Sequence, residues 1–447
     1  MSSLPDEIVS LLAAGQGGAP AVGRLATGQA NKRVVALAAV VSAAAESGHP
    51  EAAQAQRSLT LLKEIEQTHR AEARSVLLYP SVGIWSLRAL RSLAGKVSPT
   101  EAVRPGAGLA ALAAAAAVKA GHRCTVEVPV RDGAVVLPSL GRALVRGRSA
   151  LVRSGPDGAV VTAGDTTVRI PDDPHKDGEG WESLRRLDAE SSGIRFQVLL
   201  DDIDPDRWFG AEPLCERLGP EEVEHWRDML GGAWRILTTR HPVTAEEIAA
   251  CVTSLTPLHA TRGLHTSGTP THAFGTVGLS TPPDPTWLAA TLAHEVQHTK
   301  LTALLDVLPL IRPDDDSRYY APWREDPRPV HGLLHGVYAH LGLAAFWRRE
   351  RHEESGERAL HAHSEFARWR GATELAARTL AGSGRLTAAG QEFVARVRGT
   401  LRPWLTEPVP PAALDRARRD AERHLARWRR RHGEPPVIGT SPAEGRL

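Results

Sequence analysis

The sequence predicts an α+β protein, predominantly helical, with a small β-rich middle segment. Three observations carry that expectation. Apolar residues recur at the helical 3.6-residue spacing towards both ends of the chain. Period-two alternation bounded by turn residues is confined to the middle. The 447 residues, 42% hydrophobic and 24% charged, suffice for a substantial core.

Residues 4 to about 120 read as helices, with Ile8, Leu11 and Leu12 opening the first. Val34 to Ala45, Ala52 to Thr68 and the apolar stretch Leu77 to Leu93 follow. Cys124 to Val130 is strand-like, and Asp132-Gly133 signals a turn before Val135-Val136-Leu137. A hairpin is expected at Gly155-Pro156-Asp157-Gly158, flanked by Ala150-Leu151-Val152 and Ala159-Val160-Val161. Thr166 to Ile170 and Ile194 to Leu200 are further strands, separated by a polar loop from Pro171 to Gly180. Helical patterning returns at Glu221 to Leu237 and Ala245 to Leu255, and Phe274 to Ser280 is a short strand. Helices are then expected from Pro285, at Leu333 to Arg351, Ser364 to Leu380, Ala388 to Leu401 and Ala412 to Arg431. These patterns divide the chain into an N-terminal helical region (1–120), a β-rich α+β segment (121–215), a helical metal-binding catalytic region (216–432) and a flexible, Pro/Gly-rich tail (433–447).

The net charge of +2 gives no global attraction to nucleic acid or to an anionic membrane. The apolar run Gly108 to Val118 is too short to span a bilayer, and the N-terminus lacks the pattern of a secretion signal. Three widely spaced cysteines (Cys124, Cys215, Cys251) point to a reducing cytoplasm and to no thiolate metal site. Arg416 to Arg431 is arginine-rich, yet Asp415, Asp420 and Glu422 are interspersed, so it reads as a charged exterior face. Asp201, Asp202, Asp204 and Asp206 read as a strand-end loop with Arg207 paired inside it.

The most informative stretch is His294-Glu295-Val296-Gln297-His298. Two histidines four apart on a helix present both imidazoles on one face, where they can share a transition-metal ion with a glutamate beside them. Asp284 caps the helix and Pro285 takes its first position. Trp287, Ala290, His294, His298, Leu301 and Leu305 fall on one stripe, so the pair faces inward among apolar neighbours. Burying two imidazoles without a metal or firm partners is costly.

A catalytic ion needs a third protein ligand. Downstream, His340 shares the apolar face of a helix with Leu333, Val337, Leu341 and Ala344, which makes it the favoured ligand. His335, His331, Glu350 and Glu353 remain alternatives. The expected architecture is a zincin-like motif helix packed on this second ligand-bearing helix. The bare motif suits a zinc peptidase, in which Glu295 takes a proton from metal-bound water and the strand Phe274 to Ser280 holds an extended peptide.

The motif continues as Thr299-Lys300-Leu301-Thr302-Ala303-Leu304-Leu305-Asp306, then Tyr320-Ala321-Pro322-Trp323-Arg324-Glu325-Asp326-Pro327-Arg328-Pro329 and Gly336-Val337-Tyr338-Ala339-His340-Leu341. With Phe274 to Ser280 and Leu200 to Pro205, this pattern resembles the actinobacterial HExxH-domain proteins, the 2-oxoglutarate-dependent peptide β-hydroxylases of peptide natural-product pathways. The resemblance is strongest from about 270 to 350. It implies Fe2+ in place of Zn2+, 2-oxoglutarate and O2 as co-substrates, and a ribosomally made peptide as substrate. It also implies a buried cation for the distal carboxylate of 2-oxoglutarate, for which Arg324, Arg328 and Lys300 are the candidates. Tyr320 and Trp323 are candidates for lining the peptide site, and the role of Glu295 stays open between base and orienting group.

Overall fold

Proline sets where six of the helices begin. Pro80, Pro105, Pro220, Pro242, Pro285 and Pro411 each occupy a first helical turn, where the missing N–H costs nothing and the fixed φ already suits a helix. The computed structural model describes residues 4–97, 103–210, 214–260, 264–313 and 316–435. Residues 436–447, most of the expected tail, lie outside them, as does part of the Asp314-Asp315-Asp316 run.

The chain opens with α1 (Asp6–Ala13), α2 (Gly18–Glu46), α3 (Ala52–Thr68), α4 (Arg70–Leu77), α5 (Pro80–Leu93) and α6 (Pro105–Ala120). Then come β1 (Cys124–Pro129), β2 (Ala134–Leu137), β3 (Gly141–Leu144), β4 (Ser149–Gly155), β5 (Gly158–Ala163), β6 (Thr166–Ile170), β7 (Trp181–Ser183), β8 (Arg185–Ser191) and β9 (Ile194–Leu200). The order continues with α7 (Pro220–Arg240), α8 (Pro242–Cys251), β10 (Ser254–Leu258), β11 (Ser267–Gly268) and β12 (Thr276–Ser280). Five helices complete it: α9 (Pro285–Leu305), α10 (Val330–Glu350), α11 (Gly356–Gly382), α12 (Ala388–Leu405) and α13 (Pro411–His432). The fold is therefore mixed α and β, with helices predominating. No described helix is long and apolar enough to cross a membrane.

Three sheets form. An antiparallel one runs β1-β4-β5-β6, a smaller one β2-β3-β7, and a mixed one β11-β12-β10-β9-β8. The foreseen hairpin closes at Gly155 opposite Gly158, whose φ of 114° favours glycine. In the mixed sheet β9, β10 and β12 run parallel, and every residue of β10 and β12 is buried, as strands covered on both faces must be. Two expectations fail here. The helix read over Ala245 to Leu255 stops at Cys251, and Leu255 belongs to β10, because pairing with β9 and β12 on both sides outweighs local helical spacing. The strand at Phe274 to Ser280 is paired on both edges, by β10 and β11, so it offers no edge to an extended peptide.

The buried apolar residues separate into two cores. One joins α3 to α6 with the strands β1 to β7 through Leu59, Leu112, Val135, Val152 and Trp181. The other joins β8, β9, β10 and β12 to helices α7 to α12 through Phe196, Trp234, Leu255, Val296 and Leu341. The cut made by composition at 120/121 thus passes through one core, and α2 serves both, with Leu25 in one and Leu37 in the other.

Candidate metal centre

The motif helix α9 starts where its cap requires. The Asp284 carboxylate accepts the Trp287 N–H at 2.9 Å, and Pro285 follows it. Two and three turns on, the Nε2 atoms of His294 and His298 stand 3.2 Å apart. Their ring centroids are 4.9 Å apart at 73°. The nitrogens are closer than the centroids, so the two nitrogens lean towards one point. Two imidazoles bound to one ion at about 2.1 Å each place their nitrogens roughly 3.0–3.4 Å apart, which this pair satisfies. Burial pushes the His294 imidazolium down to about 4 and lowers that of His298. Both rings are therefore neutral near pH 7, the form that ligates.

His340 is delivered to the pair by α10. Gly342 allows the close approach of the two helices: a Cβ there would lie 2.6 Å from the Gln297 side chain and 3.0 Å from the Ala293 carbonyl. The His340 ring meets His294 edge-on at 4.8 Å and 82°. Its Nδ1–H donates to the Gly336 carbonyl at 2.8 Å, which leaves Nε2 free to accept. Trp323 stacks on one side at 4.2 Å and 18°, and Trp369 leans on the ring at 4.7 Å. The three rings are neighbours, but among the described residues no three His, Cys, Asp or Glu side chains form a closed ligand set for one ion. Among these rings, the His294–His298 pair is the part whose facing nitrogens stand at a ligand spacing.

Of the alternative third ligands, two are engaged elsewhere and two are exposed. His335 meets the far nitrogen of His298, Nδ1 to Nδ1, at 3.4 Å. His331 is exposed beside it, with ring centroids 4.5 Å apart. Glu350 is buried against Arg240 and His241, and Glu353 is exposed.

Glu295 is fully buried, and both its oxygens are occupied. Oε1 accepts the Ser267 hydroxyl and Oε2 the Thr269 hydroxyl, each at 2.7 Å. These two residues come from β11 and the turn after it, so Glu295 fastens the motif helix to the edge of the mixed sheet. No local signal marks Ser267 and Thr269 in the sequence; the contact spans 26 to 28 residues.

A cleft of about 1120 Å³ opens on His294. Ser267, Trp287, Trp347, Trp369 and His361 line it, together with Arg235, Arg240 and Arg358. Arg240 is held by Glu350 and Glu354, whereas Arg235 and Arg358 are exposed and without an ion-pair partner among the described residues. These arginines were not singled out by the sequence, because only the packing of α7 on α9 and of α11 on α10 gathers them.

The residues foreseen for the cofactor do not line the cleft and are taken by other partners. Arg324 and Arg328 both pair with Asp326 at 3.0 Å on the loop before α10, a local partner that the intervening chain puts within reach. Lys300 is a fully buried ion-pair member, 2.8 Å from Glu247 and 3.1 Å from the Gly15 carbonyl, on a face of α9 turned away from the cleft. Tyr320 donates its hydroxyl to, or accepts from, His424 Nδ1 at 2.9 Å and packs on Trp428, so it anchors its loop to α13. Trp323 does reach the site, as the stacking wall of His340 and not as part of the cleft lining.

No protein-family model matches the chain, and no curated protein matches it.

Proposed function

We propose that this chain is an Fe(II)- and 2-oxoglutarate-dependent dioxygenase that hydroxylates a side-chain Cβ of a ribosomally made peptide, in a zincin-like pairing of α9 and α10. His294, His298 and His340 would hold the ion. When bound, it supplies the oxidising chemistry: 2-oxoglutarate and O2 go to succinate and CO2, and one oxygen atom enters the Cβ–H bond of the peptide. The chain's own residues neutralise, orient and exclude water. Burial keeps the imidazoles neutral, and Trp323 and Trp369 hold His340 between aromatic faces. Arg235 and Arg358 are the cations on the cleft wall with a guanidinium to offer the distal carboxylate of 2-oxoglutarate. The outer edge of β11, the last strand of its sheet, suits an extended peptide beside His294.

The observation that favours hydroxylation over hydrolysis is the state of Glu295. A peptidase needs that carboxylate facing a metal-bound water as general base. Here both oxygens accept hydroxyl hydrogen bonds from the sheet edge. A dioxygenase asks nothing of a base at this position.

The test is anaerobic Fe(II) reconstitution followed by O2, with and without 2-oxoglutarate, against a peptide library. Succinate release that depends on His294, and peptide mass gain of one oxygen only with 2-oxoglutarate, are expected. Peptide fragments appearing with Zn(II) alone would replace this reading by the peptidase.

A further inference from the structure

The helix that brings His340 to the metal pair also brings the group that aims His298. The His298 and His335 ring planes are 19° from parallel with centroids 5.6 Å apart. That separation is too long for face-to-face stacking and is close to the 3.4 Å Nδ1–Nδ1 distance plus two ring radii. The contact therefore runs edge to edge in a shared plane, the direction in which an imidazole N–H donates and an imidazole lone pair accepts.

Two facing nitrogens share one proton, so one ring donates and the other accepts. A histidine that ligates through Nε2 carries its proton on Nδ1. His298 then donates and His335 accepts, which places the proton of His335 on its own Nε2. That nitrogen is buried and has no hydrogen-bond partner. A buried donor without an acceptor is costly, and an apolar side chain would fill the same space without it. The cost is accounted for if His335 is kept for its other nitrogen. Gly336, the next residue on α10, does the equivalent for His340 through its carbonyl.

We infer that His335 is a positioning residue: by accepting Nδ1–H of His298 it fixes that ring's tautomer and keeps its Nε2 directed at the point shared with His294. This rests on the metal-binding reading of the motif and extends it to a residue outside the ligand set.

The experiment is competition for Zn(II) against a chromophoric chelator, on the full chain, for wild type, His335→Phe, His335→Asn and His294→Ala. His335→Phe keeps a planar ring and removes the acceptor, so zinc affinity falls about 10- to 100-fold. His335→Asn returns an acceptor oxygen near the position of Nδ1 and recovers most of the loss, a rescue that a space-filling role would not produce. Equal affinities for wild type, Phe and Asn, with zinc lost in His294→Ala, overturn the role of His335 and leave the metal pair standing. Zinc binding indifferent to His294→Ala overturns both. Should the Phe variant fail to fold, ¹⁵N-histidine spectra of the zinc-loaded wild type decide. A proton on Nδ1 of His298 and on Nε2 of His335 is expected, and a proton on Nδ1 of His335 overturns the inference.

Discussion

Two charged residues beside the motif behave differently from what their type suggests. Glu295 is expected to tolerate loss of charge. Glu295→Gln keeps one acceptor for the Ser267 and Thr269 hydroxyls, so hydroxylation should stay within about tenfold of wild type and stability fall by roughly 1 kcal/mol. A loss of a thousandfold or more in turnover would instead mark it as an acid or base. Lys300 is the reverse case. It and Glu247 are buried together, and Glu247 also accepts the Gly18 N–H at 3.1 Å, so the pair fastens α9 to the start of α2. Lys300→Met leaves a buried carboxylate uncompensated and should cost about 3–5 kcal/mol in urea unfolding. Lys300→Met combined with Glu247→Leu should recover part of it, and a strictly additive loss would speak against the pairing.

At the scale of elements, the site depends on how closely α9 and α10 can approach and on what holds the His340 ring. Gly336 is the sensitive position for the second. A Cβ there would lie 2.3 Å from the Trp323 ring, so Gly336→Ala must move the indole off His340. Weaker metal binding and a changed tryptophan emission are expected, with about 1–3 kcal/mol lost from overpacking. An unchanged chelator-competition constant would show that the Trp323 stack does not matter to the centre. At the other end of the motif helix, Asp284→Ala removes the cap and should lower stability by about 1 kcal/mol, measured by thermal unfolding, without touching the ligands. The elements read well from sequence where local chemistry decides them. The α9 start was legible because Asp284 and Pro285 act within a single turn, and the β4–β5 hairpin because its turn residues are adjacent. The short strands β3, β7, β10 and β11 were not legible. Pairing partners far away in the chain create them, and β10 sits where helical spacing appeared to continue.

Across the whole molecule, the loop that leaves β9, between the two cores, carries a charge arrangement that acidity should expose. Asp201, Asp202 and Asp204 are buried at the end of β9, and Arg185 and Arg217 pair with Asp202. Arg207, expected to be held within this loop, donates to the Asp204 carbonyl. Burial, then the neighbouring carboxylates of Asp201 and Asp206, pushes the Asp204 carboxyl up to about 8, and burial pushes Asp201 up to about 6. The folded pKa lies above the unfolded one, so the folded chain holds a proton that the unfolded chain has released. This contribution is complete below about pH 4 and is lost as pH rises towards 8. Asp204→Asn should flatten that decline by on the order of 2 kcal/mol, seen as a smaller drop in Tm between pH 5 and pH 8 than in wild type; an identical drop would show that Asp204 ionises freely in the folded state.

The motif helix, its cap and the placing of two imidazoles one turn apart could be read along the chain, because a helix's period and its first turn are local properties of a few consecutive residues. The sequence also singled out His340, by the apolar face that residue shares along α10. It took the packed fold to show that His340 stands beside His294 while His335 turns to the far nitrogen of His298, that Glu295 is held by a sheet edge, and that Lys300, Arg324 and Arg328 are taken by other partners. Those outcomes depend on which carboxylates, hydroxyls and rings come within a few ångströms when helices and strands distant in the chain pack together, and no window along the sequence contains that information.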